Sequence, residues 1–107
     1  MIYEMVKTFP SEEKYNLTKH LKECGRNIPG NIAEGFGRFH YQESTQFYRI
    51  ARGSLNEAKS DIYCAFDEKY IGGEKLKEIL DQTELVAKML NGLVASTQKL
   101  KRSSTDS

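Results

Sequence analysis

Apolar positions recur along most of this chain at helical spacing. Leu17, Leu21, Cys24 and Ile28 are separated by four, three and four positions, which puts them on one narrow stripe of a helix. A second stripe runs through Phe47, Ala51, Ser54, Leu55, Ala58, Ile62, Ala65 and Phe66, over about residues 43–69. A third runs through Leu76, Ile79, Leu80, Thr83, Ala87, Leu90, Val94 and Thr97, over about residues 74–99. Between the last two, Tyr70-Ile71-Gly72-Gly73 breaks the period, and the two adjacent glycines predict a helix stop and a tight turn. At a rise of about 1.5 Å per residue each long helix spans roughly 40 Å, and matched lengths with short connections make antiparallel neighbours. No segment alternates with the period of a strand. The pattern predicts an all-α, up-down antiparallel helical bundle of the four-helix type. Its stub covers about 2–8 and its long helices about 12–37, 43–69 and 74–99. Residues 1–98 form the single domain, and 99–107, without apolar content, form a flexible polar tail.

The ends of the elements carry their own signals. Ser11 after Pro10 is placed to cap the first long helix, with Glu12 and Glu13 at the positive end of its dipole. Ile2, Met5 and Val6 have helical spacing, but Thr8-Phe9-Pro10 ends that segment after two turns. A helix so short has to lie on the bundle to be stable. Residues 28–38, IPGNIAEGFGR, admit more than one reading. Pro29 lacks an amide donor and crowds the carbonyl of Gly25, whose small size softens the conflict. Ile28 and Ile32 stay in register with the stripe, so the segment reads as a helix kinked near 25–29 that stops at Gly35-Phe36-Gly37. A phosphate loop needs GxxxxGK[ST], and a dinucleotide turn needs GxGxxG after a strand; Gly35 and Gly37 supply a lone GxG.

Composition narrows the function classes. The chain has 107 residues, with 16 Lys+Arg against 15 Asp+Glu, a net charge of +1. Attraction to nucleic acid must therefore come from local clustering. Cys24 and Cys64 belong to no CxxC or Cys/His cluster, so the sequence calls for no metal and no cofactor, and two reduced core thiols fit a cytoplasmic protein. No apolar run approaches the ~20 residues of a membrane span, and no secretion signal opens the chain.

Three groups of cations are candidates for contacting phosphate: Lys19, Lys22 and Arg26 opposite the first stripe; Arg49, Arg52 and Lys59, with Asn56, opposite the second; and Lys99, Lys101 and Arg102 at the last helix end. Each also has a structural reading, as a solvated face or as charge complementing a helix dipole. Glu34 is expected to pair with Arg49 or Arg52, a structural polar pair. A catalytic role for Glu34, with Arg38, would need a converging carboxylate or histidine, and the spacing of His20 and His40 suggests none. On the last helix, Leu85, Met89, Gly92 and Ser96 recur opposite the core stripe. A helix apolar on two faces is buried on two faces, so this face is expected to meet another copy of the chain or a further helix. Tyr41, Tyr48, Tyr63 and Tyr70 could stack on bases, and packing at helix rims is the expected role.

Several of these motifs occur together in one known family. Ile28-Pro29-x-Asn31-Ile32-Ala33-Glu34-Gly35-Phe36-Gly37-Arg38 closely resembles the signature of the 23S ribosomal RNA intervening-sequence proteins. The resemblance extends through Tyr48-Arg49-Ile50-Ala51-Arg52-Gly53-Ser54-Leu55-Asn56-Glu57, through Met89-Leu90-Asn91-Gly92-Leu93, and upstream through Phe9-Pro10, Glu13, Tyr15, Leu17 and Thr18. It implies a left-handed up-down four-helix bundle that assembles as a homopentamer. It also implies kinship with the accessory variability determinant of diversity-generating retroelements, a basic pentamer that engages nucleic acid and a reverse transcriptase. No enzymatic activity is implied. The chain departs from the family in carrying only the last turns of the first helix, in Glu23 where a basic residue is usual, and in Gly30 where a serine is usual. The expected function is a non-enzymatic oligomeric scaffold that binds RNA or DNA, with a reverse transcriptase or other nucleic-acid enzyme as a candidate partner. The alternatives are a protein–protein adaptor and a truncated copy without function, the short first helix reflecting a degraded gene or a misassigned start.

Overall fold

The computed structural model describes residues 2–11 and 16–103, with side chains as far as Lys101. Four helices follow one another: α1 (Ile2–Val6), α2 (Leu17–Phe36), α3 (Tyr41–Asp67) and α4 (Gly73–Ser103). No strand occurs among the described residues. This is the all-α, four-helix-type bundle that the apolar period predicts. α4 runs to Ser103, beyond the expected end near 99, while residues 104–107 lie outside the described residues. The expected acidic first turn at Glu12 and Glu13 also lies outside them, and α2 starts at Leu17, with Asn16 making no side-chain cap hydrogen bond.

α3 is the middle helix. α2 packs on one side of it and α4 on the other, and α1 packs on α2. The result is a flat rod, 53 × 24 × 16 Å. Its core has two parts. One gathers Leu21, Cys24, Ala58, Ile62, Ala65 and Ile79 beneath Met5, Val6 and Phe9 of the N-terminal segment. The other gathers Ile28, Tyr48, Ala51, Leu55, Leu90 and Val94. Apart from Tyr48, which is buried where the stripe has Phe47, the α2–α4 residues named here are stripe positions read from the sequence; the stripe's Phe66 is exposed, and Leu21, Ile62, Ile79 and Leu90 are sealed from water. The stub behaves as its length requires. Its apolar residues sit on the bundle, and Phe9 meets Tyr70 at a ring-centroid distance of 5.3 Å. The backbone after it tightens into turns, and the Thr8 hydroxyl donates to the Met5 carbonyl at 2.8 Å.

The proline–glycine segment is architecture. α2 continues through Pro29 without interruption and ends at Phe36, where the Gly37 amide donates to the carbonyls of Ala33 and Glu34, 3.2 Å each. Gly37 keeps an ordinary helical φ of −83°. Gly35 is the glycine that the packing needs: a Cβ built there falls 2.4 Å from Cε1 of Tyr48. The ring packs against the α2 backbone at Gly35 and meets Phe36 edge-on, with centroids 5.9 Å apart.

The stop of α3 differs from the sequence expectation. The helix ends at Asp67, before Gly72-Gly73, and neither glycine has a positive φ. Lys69 takes the left-handed conformation instead, with φ 65°. The Lys69 amide donates to Phe66 at 2.9 Å and the Tyr70 amide to Ala65 at 2.8 Å, the paired bonds of a Schellman stop. A lysine accepts this backbone because burying Tyr70 against Phe9, just beyond it, offsets a cost of ~1 kcal/mol.

Candidate functional site

The candidate cations fall into two classes. Lys19 and Arg26 are exposed and Lys22 is half-buried on the outer row of α2, one or two turns apart. None of the three side chains has a hydrogen-bond or ion-pair partner among the described residues, although the Lys22 carbonyl accepts from the Tyr3 hydroxyl at 3.3 Å. Arg49 is likewise exposed and unpaired among the described residues. The rest of the α3 group is not on an open face. Arg52 donates to the Asn91 side chain at 3.0 Å, and Lys59 lies 3.7 Å from Glu84. Both therefore span the α3–α4 seam, because α4 flanks α3 where the stripe alone left that side open to solvent. Lys99 is exposed, Lys101 is half-buried with an interaction of its own, and Arg102 lies in the last turn of α4 with its side chain outside the described part.

The expected pairing of Glu34 with Arg49 or Arg52 is corrected. Glu34 accepts from Arg38 at 2.8 Å, one helical turn away, and both side chains are largely exposed. Four-residue spacing brings these two together without help from α3, whereas Arg52 is drawn to Asn91. Arg38 also stands 4.8 Å above the Phe47 ring, a cation–π contact. Among the tyrosines, Tyr48 is buried and Tyr70 is half-buried against Phe9, as packing residues, while Tyr63 is exposed. The aromatic that stands free is Phe39, 96% exposed in the α2–α3 connection. The sequence offered no signal for it beyond its place after a helix stop.

Among the described residues, two extended apolar surfaces stand out. Leu85, Met89 and Leu100 are exposed on the outer face of α4, where Gly92 and Ser96 are also exposed. Around Gly92 nothing approaches within 4 Å of a built Cβ. The second surface is a groove of about 280 Å³ between α2 and α4, floored by Leu55 and Ile62 of α3. Ile28 and Pro29 form one wall, Ile79 and Val86 the other, and Ile2 and Tyr3 of α1 close one end. The groove lies where the two parts of the core meet, and α1 is too short to cover it.

A polar cluster links α2 and α3. His20 and Cys24 are one turn apart on α2; Glu57 and Asp61 are one turn apart on α3. His20 Nδ1 hydrogen-bonds Asp61, and Nε2 lies 3.3 Å from a Glu57 oxygen. The Asp61 hydrogen bond, with the charges of Asp61 and Glu57, raises the His20 pKa above its usual value against the opposing effect of burial. Cys24 beside them is 2% exposed. Burial, with the charges of Asp61, Glu57 and Glu23, pushes its thiol up to about 11. The sequence reading saw no Cys/His cluster. The signal it passed over is the matched four-residue spacing of His20/Cys24 and Glu57/Asp61.

No helix among the described residues is long and apolar enough to cross a membrane. No curated protein matches the chain at a significant level. A family model described as 23S rRNA-intervening sequence protein matches residues 1–92, which takes in α1, α2, α3 and most of α4. With that match over most of its length and an all-α bundle for its fold, the chain belongs to the 23S rRNA-intervening sequence protein family.

Proposed function

We propose that the protein is a non-enzymatic, self-associating helical scaffold that binds nucleic acid through the outer row of α2. The observation that carries this reading is the sorting of its cations. Arg38 and Lys59 are matched by carboxylates and Arg52 by an amide, whereas the side chains of Lys19, Lys22 and Arg26 have no partner among the described residues. Three unmatched cations within about two turns suit a run of backbone phosphates, and phosphate contact needs no base-reading geometry. Phe39, exposed at the far end of α2, offers a face on which an unpaired base can stack. The family name, which refers to sequences intervening in 23S rRNA, favours RNA over DNA as the first ligand to try.

A single chain with a net charge of +1 binds a polyanion weakly. Self-association through the α4 ridge and the groove repeats the cationic row in every copy, so that one strand meets several rows at once. A homopentamer is the number of copies implied by family resemblance. Such a ring would present its rows to a polymerase or reverse transcriptase as a nucleic-acid platform.

The test is fluorescence anisotropy of a labelled RNA over a salt series. Affinity should fall steeply with salt. Reversing Lys19, Lys22 and Arg26 together to Glu should lower the slope of log affinity against log salt by at least about 2 per bound protomer for a single strand. Absence of binding at low salt, in a sample that remains oligomeric, refutes the proposal and supports the adaptor reading.

A further inference from the structure

His20, Cys24 and Glu57 each bring one donor atom into a set whose members all lie within 4.8 Å of one another. The donors are an imidazole nitrogen, a sulfur and a carboxylate oxygen, from two helices packed side by side. The fourth residue, Asp61, hydrogen-bonds His20 Nδ1. That bond points the other ring nitrogen, Nε2, toward Glu57. A carboxylate holding the far side of a metal-binding histidine is the usual outer partner in zinc sites, where it fixes the tautomer and orients the ring.

We propose that His20, Cys24 and Glu57 bind one zinc-type divalent cation between α2 and α3, with Asp61 as the residue that positions His20.

The distances suit this. Bonds of about 2.0–2.3 Å to N, O and S in a tetrahedron separate the donors by roughly 3.3–3.8 Å. His20 Nε2 and Glu57 are already 3.3 Å apart. The donors' upper limit of 4.8 Å exceeds this range by about 1 Å, and the Glu57 side chain, 64% exposed, can turn to close its own distances. The donor chemistry selects the ion: a thiolate and an imidazole exclude magnesium and calcium, and three mixed protein ligands with one position left to water suit zinc. On binding, the Cys24 sulfur loses its proton to solvent and coordinates as thiolate. Without a metal, the same residues form a histidine–carboxylate clasp between the helices, and the experiment must separate the two.

The full chain, stripped with a chelator, is titrated with Co²⁺ alone and followed by absorbance. The expected result is one Co²⁺ per chain, a thiolate-to-cobalt charge-transfer band in the near ultraviolet, and displacement of the band by Zn²⁺. Cys64→Ser removes the exposed thiol and should leave the band intact, while Cys24→Ser should abolish it. Glu57→Gln, at an exposed position, should weaken Co²⁺ binding by at least about tenfold, and Asp61→Asn by about 10–100-fold. A chain without the band overturns the proposal. So does a band that survives Cys24→Ser, or unchanged Co²⁺ affinity in Glu57→Gln. Should Cys24→Ser fail to fold, Cys64→Ser and Glu57→Gln decide: loss of the band in the first, or no weakening in the second, overturns the site.

Discussion

Gly35→Ala places two helix rules in opposition. In a helix interior, Gly to Ala stabilises by about 1 kcal/mol, because alanine loses less backbone freedom on folding. At Gly35 the new Cβ falls 2.4 Å from Tyr48 Cε1, 2.9 Å from Cδ1 and 3.0 Å from Cζ, where ordinary contact begins at 3.4 Å. The ring has to retreat by about 1 Å, and it is enclosed by the core cluster of Ile28, Ala51, Leu55, Leu90 and Val94. Overpacking of this depth belongs at the upper end of the usual 1–3 kcal/mol range. Taking about 3 kcal/mol for the clash and 1 kcal/mol for propensity, the net loss is ~2 kcal/mol, or roughly 8–16 °C in Tm for a domain near 100 residues. Gly30→Ala on the same helix is the control. Nothing lies within 4 Å of its built Cβ, so only the propensity gain of about 0.5–1 kcal/mol remains. Both variants are unfolded in urea at one protein concentration, followed by far-ultraviolet circular dichroism, so that association does not shift the comparison. Adding Tyr48→Leu to Gly35→Ala should recover at least about 1 kcal/mol of the loss in a double-mutant cycle. A Gly35→Ala protein as stable as the parent would refute the close-approach argument for the glycine.

Two other substitutions examine separate parts of the structure. Lys69→Gly removes the left-handed cost at the end of α3 and should stabilise by about 1 kcal/mol in the same urea assay; a loss of stability would show that Lys69 is held by contacts and not by its backbone. Replacing Leu85 and Met89 together by Lys should dissociate the proposed oligomer in light scattering after gel filtration while leaving helicity unchanged and monomer stability within about 0.5 kcal/mol, since both side chains are exposed in the single chain; an assembly of unchanged mass would remove the α4 ridge from the interface.

The stripes of α2, α3 and α4 were legible because most of the apolar residues on them have a neighbouring helix to meet. Leu21, Ile62 and Leu90 are sealed as their positions dictate. Pro29 was legible for a related reason: the continuing register of Ile28 and Ile32 outweighs one missing hydrogen bond. What the pattern could not carry was the azimuth of one helix about another. It assigned Arg52 and Lys59 to an open face, and the position of α4 turned them into seam residues. Glu34 was expected across the helix pair, yet its partner lay four residues along its own helix. The end of α3 was assigned to the glycines, although the left-handed turn falls on a lysine whose neighbour, Tyr70, has a ring to bury. The histidine–cysteine–carboxylate cluster was present as two four-residue spacings, but nothing in one helix states which stretch of another it will face.

The groove and the ridge share a cause. In a bundle with α3 in the middle, α2 and α4 each bury one side against it and leave the other to whatever comes next. In the first part of the core, Met5, Val6 and Phe9 supply that next layer. In the second they do not reach, and Ile28, Leu55 and Val86 line an opening where a complete bundle would have a fourth helical surface. A chain of this length exposes much of its apolar surface, so an uncovered core wall is a strong drive toward association. The wall lies between α2 and α4, while the unpaired cations stand on the outer row of α2. Association through the wall and the α4 ridge would therefore leave the cationic row outside, in the same orientation on every copy. The proposed self-association and the proposed nucleic-acid binding are thus compatible on this chain, because they would use different faces of the same helices.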